Sequence, residues 1–558
     1  MRRLGALLPQ RSDYEGLRTH LRADLVAGVT VAVVALPLAL AFGITTGLGA
    51  AAGLTTAIVA GLVAAVLGGS DVQVSGPTGA MTVVLVPLVA QFGPDGVVMA
   101  GVLAGLLVVT AAAFGLGRYL AYIPWPVVEG FTLGIAVIIA LQQVPSALGV
   151  EKPDGDNTAL VAAQAVADAV SGPDVASMAL TGLVIAVMVV APRLHRSLPA
   201  SLLAVAAATV VAAVADLDVA TIGALPASIV RLSVPDVAVG DLDQYLSAAF
   251  AIAALAAIES LLSAKVADGM VDGRPHDPDR ELLGQGAANL VSPLLGGMPA
   301  TGAIARTAVN VRAGARTRVA AMVHSVALVL VVVAGAGLVA RIPLAALAGV
   351  LMVTAVHMVE VRNVRAVVAS TRSDAVVLVL TALATVVFDL IVAVEIGVVA
   401  AAFLALRNVA RTTGATLAPI DAEVDTDEER DLLREHIVAY RIDGALFFGA
   451  AQRFLTDFTQ VADVEVVILR LPDLQVLDAT GAQALGAIIE DLEHRHITVL
   501  LKGPRPEHEK LLRTVGALDR LAHENHLFTD LDAAVAHART HVTRRRDADL
   551  PELTGSGA

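Results

Sequence analysis

An arginine and a glutamate stand inside stretches otherwise almost free of charge: Arg306 in GGMPATGAIARTAVNV and Glu259 in AIAALAAIESLLSAKVAD. A charge within a membrane-length apolar run is costly and points to a site or pathway. The segment carrying Arg306 opens on Thr301, Gly302, Ala303 and Ile304, and an earlier apolar segment opens on Ser75, Gly76, Pro77, Thr78 and Gly79. Such Gly/Pro-rich openings leave too few helix-forming residues for a full crossing. Each segment is therefore expected to enter extended and turn helical halfway. Two helix N-termini then face each other, each with unpaired N–H groups and a dipole end of about +0.5 charge. That is an anion-binding arrangement. Pro77 suits a first helical turn, where its missing N–H would be unpaired anyway. Gly76, Gly79 and Gly302 let the backbone come close, while Ser75, Thr78 and Thr301 add hydroxyl donors. With Arg306 the site sums to about +2, and an ionised Glu259 lowers this to about +1. A proton on Glu259 would match the site to a dianion, so proton-coupled uptake is the mechanistic expectation. Two plainer readings stay open. Arg306 could snorkel towards the inner face, where Arg312 lies, and Glu259 could bond a neighbouring helix or pair with Lys265.

Such a site needs a polytopic frame, and the composition supplies one. Of 558 residues 56% are hydrophobic and only 16% charged, against about 25% charged in soluble domains. Residues 25–410 hold apolar runs in series, each long enough to cross a ~30 Å hydrocarbon core. We read 1–20 as a cytoplasmic N-terminal segment, 21–412 as an all-α membrane domain of fourteen segments, and 413–436 as a linker. The Gly/Pro-opened segments are the third of a first seven and the third of a second seven, the mark of a seven-plus-seven inverted repeat with a midplane site. Arg and Lys fall in alternate links: Arg118, then Arg193 and Arg196, then Lys265, Arg274 and Arg280, then Arg312, Arg316 and Arg318, then Arg362, Arg365 and Arg372. That alternation puts both termini in the cytoplasm of a multi-pass cell-membrane protein.

Other polar residues carry less. Glu129 reads as interfacial at the inner end of the fifth helix, and Asp389 and Glu395 as solvated at the outer face. His324 and His357 stand alone on apolar stretches. There is no cysteine, which excludes disulfides and thiol chemistry. No metal site and no cofactor is expected. A net charge of −14 argues against nucleic acid, and the absence of a nucleophile–base set, P-loop or dinucleotide fingerprint argues against an enzyme.

Residues 437–545 alternate strand-like and helix-like runs, which predicts a small α/β domain with a buried, mostly parallel sheet. IVAYRIDGALFFGA reads as two strands, RFLTDFTQVA as a helix, VEVVILRL and ITVLLKG as strands, and ATGAQALGAIIEDLEHR and PEHEKLLRTVGALDRLA as helices. Thr480 falls at a helix start, where it is either an N-cap or a phosphorylation site favoured by the dipole. The tail 546–558 reads as disordered, and the triplet Arg544–Arg546 as able to touch anionic lipid.

The chain resembles the SulP (sulfate permease) family of anion transporters. The resemblance rests on DLVAGVTVAVVALPLALAFGI (24–44), GGSDVQVSGPTGAMTVV (68–84), YIPWPVVEGFTLGIAVI (122–138) and the run from ELLGQGAANLVSPLLGGMPATGAIARTAVNV to His324 and Ser325. The region 437–545 resembles the STAS domain that follows such transporters. The resemblance implies a core of segments 1–4 and 8–11, a gate, elevator-like access, a homodimer and a cytoplasmic regulator at the STAS domain. It implies an anion lined by Pro37 and Phe42, Ser75 to Gly79, and Gly302, Ala303, Ile304 and Arg306, with Glu259 and Ser263 as coupling residues. Leu38 stands where many sulfate members carry Gln, and Ile304 cannot supply a hydroxyl to sodium, so H⁺ coupling or exchange is expected over Na⁺. Sulfate or a similar oxyanion such as bicarbonate is the expected substrate. The alternatives are a sodium-coupled bicarbonate transporter, a dicarboxylate transporter, an uncoupled channel, a nucleobase permease of the same plan and a membrane-anchored regulator.

Overall fold

In the computed structural model the described residues are 7–14, 17–120, 124–155, 157–195, 199–226, 231–235, 242–271, 275–387, 396–406, 414–418, 436–446 and 464–549. The chain forms two compact units, 1–399 and 400–558.

In the first unit helices α1 (Leu17–Thr45) and α2 (Ala50–Leu67) precede strand β1 (Ser75–Gly76) and α3 (Gly79–Phe114). After α4 (Gly117–Leu120) come α5 (Trp125–Gln142), α6 (Val144–Leu148), α7 (Thr158–Ser171), α8 (Val175–Leu194) and α9 (Ala200–Val214). The second half holds α10 (Leu242–Asp268), α11 (Pro278–Leu294), β2 (Thr301–Gly302), α12 (Ile304–Arg312), α13 (Val319–Val339), α14 (Leu344–Met358), α15 (Val361–Ser370) and α16 (Arg372–Val387), then α17 (Ile396–Leu406). Among the described residues eight helices are long and apolar enough to cross a membrane. The breaks fall where the sequence places them. α3 is two helices, parted at Gly93 (φ 66°, ψ −170°) just ahead of Pro94. Three helices of this unit were not foreseen: the four-residue α4 lies in an expected link, α7 occupies another, capped by Asn157, whose side chain accepts from the N–H groups of Ala159 and Leu160, and α15 fills the link before α16. Asp389 and Glu395 lie outside the described residues.

Packing sorts these helices into two groups. α1, α2, α3, α10, α11, α12 and α13 pack on one another, while α5 packs on α16 and α14, and α8 on α9 and α14. Without a water-driven hydrophobic term, helices in lipid gain by close backbone approach at small residues. α1 and α2 meet that way: a Cβ at Gly53 would overlap the Ala39 carbonyl oxygen. At one end Arg280 donates to both carboxylate oxygens of Asp13, at 2.8 and 2.7 Å, which holds the Asp13 carboxyl below the usual range. Asp24 accepts from the Arg316 and Thr317 N–H groups and the Thr317 hydroxyl.

The second unit is an α/β domain. Its sheet runs β3 (Gly414–Ala418), β4 (Ile437–Leu446), β5 (Val466–Arg470), β7 (Thr498–Lys502), β8 (Leu527–Phe528), with β6 (Leu474–Leu477) also on β4. Among the described residues of this unit, only β3 pairs antiparallel. Alternate residues face opposite sides. Val467 and Leu469 join α18 (Ala479–His494) and α19 (Pro506–Thr514) in one core, and Val466 and Ile468 join α20 (Leu531–Asp549) in another. Some expectations change. The described part of the segment expected as two strands, 437–446, is one strand, β4, bulged between Gly444 and Ala445. Residues 414–418 of the expected linker are a strand, α19 stops at Thr514, and α20 continues to Asp549, into the expected tail. The helix expected over RFLTDFTQVA lies outside the described residues.

Replacing Gly53 by Val should destabilise the membrane unit by about 1–3 kcal/mol, as overpacking does. The purified variant should melt several degrees below wild type in a size-exclusion thermostability assay. An unchanged melting profile would contradict backbone contact between α1 and α2.

Candidate functional site

The two Gly/Pro-opened segments meet. β1 and β2 pair antiparallel, with Ser75 opposite Gly302 and Gly76 opposite Thr301, and the Ala303 N–H donates to the Val74 carbonyl at 2.9 Å. Each strand leads within three residues into a helix, α3 or α12. The N–H groups of those first turns have no helical carbonyl behind them. Both helix starts therefore present donors and positive dipole ends beside one short ladder.

A two-residue ladder leaves most of its backbone groups to other partners, and neighbouring side chains take them. The Ser260 hydroxyl accepts from the Gly302 N–H at 2.8 Å. The Thr307 hydroxyl accepts from the Val74 N–H at 3.0 Å and shares a 3.2 Å bond with Ser263. Asn289 bonds both backbone groups of Ala300, at 2.8 Å each, and Asn310 donates to the Val72 carbonyl. Gln285 donates to the Ser75 hydroxyl at 2.6 Å and to Glu281 at 2.9 Å. Glu281 also accepts from Gln73 and from the Gly69 and Ser70 N–H groups. Of these supports the sequence reading singled out only Ser263. Their signal was present as polar residues at Gln285, Asn289 and Ser292, three and four apart on α11, one helix face.

The ionisable pair sits on this ladder. Glu259 Oε2 accepts from the Thr301 hydroxyl at 2.7 Å and the Thr78 hydroxyl at 3.0 Å, so it links both broken segments. Neither hydrogen bond runs to Lys265, which is exposed. Arg306 is 3% exposed, so it does not snorkel. Its Nη2 donates to the Pro77 carbonyl at 2.6 Å, while Nη1 is buried without a hydrogen-bond partner. A buried guanidinium nitrogen with a donor to spare suits an anionic oxygen.

The other predicted residues divide. Thr78 caps α3, its side chain accepting from the Met81 N–H. Phe42 and Ile139 close on Gly79, where a Cβ would collide with Ile139 and stand 3.4 Å from the Phe42 ring. Gly76 has φ +152°, and a Cβ there would lie 2.7 Å from Arg306 Nη1. Ile304 is half-buried at the start of α12. Ser75, Gly302 and Ala303 bond to the scaffold, so the backbone donors left over in the second segment are those of the first turn of α12 rather than that of Gly302. Ser263 bonds the Thr307 hydroxyl rather than Glu259. Pro37 is buried within α1. A cleft of about 890 Å³, lined in part by Thr45, Pro87, Gln91, Gln143 and Lys152, adjoins the first half of α3 but does not include Glu259 or Arg306 in its lining.

Two minor expectations also meet the structure. Glu129 accepts from Trp125 and Asn363. Thr480 is not the N-cap of α18, because Asp478 takes that place and accepts from the Gly481 N–H at 2.7 Å. Thr480 sits exposed in the first turn.

A family model described as "Sulfate permease family" matches residues 21–381, and one for the STAS domain matches 432–534. "Putative sulfate transporter YvdB" of Bacillus subtilis is 32% identical over 84% of this chain and 88% of its own length. The bicarbonate transporter BicA of Synechocystis is 30% identical over 95% and 97%. The solved transmembrane domain of a cyanobacterial BicA covers 69% of this chain and 97% of its own, at 30% identity and a TM-score of 0.62. Murine Slc26a9 in an inward-facing state shares the fold, with a TM-score of 0.83 at 15% identity over 96% of this chain and 94% of its own.

Gly76→Ala should strain a backbone position costing of order 1–3 kcal/mol and push Arg306 off its place. We expect anion affinity to fall roughly 10- to 100-fold with normal membrane expression, read by binding to purified protein. Wild-type affinity would contradict the assignment of Arg306 to the site.

Proposed function

The chain belongs to the sulfate permease family, and from that premise we propose that it is a secondary transporter of a small inorganic anion, sulfate or a similar oxyanion such as bicarbonate. The observation that carries this reading is the free Nη1 of buried Arg306 beside two converging helix starts. The relatives named for sulfate and for bicarbonate support the substrate class and leave both anions in play.

The mechanism follows from charge. The oxyanion accepts hydrogen bonds from the first turns of α3 and α12 and from Arg306, in a setting of low dielectric where fixed donors count for more than in water. Glu259 holds the hydroxyls of Thr78 and Thr301 with Oε2. Ionised, it opposes a second negative charge on the substrate. Protonated, it removes that opposition, and a proton and an anion then move together. In this reading the helices grouped around the ladder carry the site past the group built on α5, α8, α14 and α16. Small contacts at the boundary, Ile139 against Gly79 among them, suit such sliding. Fourteen crossings, cytoplasmic termini, a homodimer and a regulator bound at the STAS domain complete the proposal.

Uptake into proteoliposomes, with labelled sulfate and bicarbonate tested in parallel, checks both parts. An inward proton gradient should stimulate wild-type uptake. Glu259→Gln should transport without that stimulation, and Arg306→Ala should lose uptake by at least about tenfold, the effect of 1.4 kcal/mol. Retained proton stimulation in Glu259→Gln would overturn the coupling. Undiminished uptake in Arg306→Ala would overturn the site.

A further inference from the structure

Far along the chain from the membrane site, the second unit gathers histidines. His523 and His526 belong to the turn before β8, and His537 and His541 lie one helical turn apart on α20. Ring nitrogens of His526, His537 and His541 all lie within 4.8 Å of one another. His537 Nε2 and His541 Nε2 are 3.3 Å apart. Two nitrogens bound to one tetrahedral ion at ~2.0–2.1 Å are separated by about the same distance.

His526 is the most telling. It is 0% exposed, and neither ring nitrogen makes a hydrogen bond of ordinary geometry. Burying two polar nitrogens without partners is costly, and nothing in the apolar packing of α20 calls for an imidazole there. A neutral imidazole with its ring nitrogens unengaged is the form that ligates a metal ion.

We propose that His526, His537 and His541 form a binding site for a divalent transition metal of the zinc class. Three neutral imidazoles suit zinc, copper or nickel rather than calcium or magnesium. The fourth position falls to water or to the exposed His523. The ion would clamp α20 to the edge of the sheet, where β8 is held by a register of only two residues, Leu501 with Leu527 and Lys502 with Phe528. The sequence carries the sign in HARTH, an i, i+4 histidine pair.

The test uses the full chain in nanodiscs with its affinity tag removed. After equilibration with zinc and dialysis, elemental analysis should find about one zinc per chain in wild type. His541→Gln and His537→Gln, both partly solvent-exposed positions, should each retain less than roughly a tenth of that. His436→Gln, elsewhere in the same unit, should retain it all. Apo circular dichroism matching wild type confirms that each variant is folded. Cobalt substitution in wild type supplies a readout independent of the variants and should give the intense visible bands of a tetrahedral nitrogen-ligated ion. Absence of stoichiometric zinc in wild type, equal zinc in His537→Gln and His541→Gln, or a weak octahedral cobalt spectrum would each overturn the site.

Discussion

Backbone polar groups deep in a membrane domain must all find partners, since no water reaches them there. The two broken segments violate helical self-sufficiency at Val72–Thr78 and Met298–Ala303, and the rest of the membrane unit is arranged around repairing that breach. The β1–β2 ladder pairs part of the freed backbone. Side chains from α10, α11 and α12 pair more of it. What remains over, at the starts of α3 and α12, is a set of donors with one direction of charge. The proposed anion site is what the repair leaves open.

This account explains why the polar residues here are hydroxyls and amides rather than charges. Ser260, Ser263, Thr307, Asn289, Asn310 and Gln285 satisfy backbone or bridge to it without adding charge. Glu281 is the exception and is matched by four donors. That leaves Arg306 and Glu259 as the ionisable pair at the ladder. One carries a spare donor, and the other ties Thr78 to Thr301. In the proposed function both charges also act on the substrate.

Much of this was legible in the sequence because it rests on rare residue types in apolar surroundings. Gly76, Pro77 and Gly302 announced the breaks, and Arg306 and Glu259 announced the charge. Partner assignments were less legible. Spacing along α11 shows that Gln285 and Asn289 share a face, but not that they reach Ser75 and Ala300, which depends on tertiary register. Thr480 resembled a cap because it begins a run of helix formers, yet Asp478 is the better acceptor two residues earlier. α7 went unseen because its short amphipathic pattern lies within a link, and the histidine site because half of it comes from a turn remote in periodicity from α20.

The central claim is that an anion sits between the helix starts that follow β1 and β2. A cryo-EM structure of the purified protein with selenate, an electron-rich analogue of sulfate, tests it most directly. The account predicts Ser75 opposite Gly302, and density for the anion within hydrogen-bond reach of Arg306 Nη1 and of the first-turn N–H groups of α3 and α12. Residues 74–92 and 297–312 running as unbroken, separated helices, or selenate bound away from Arg306, would contradict it.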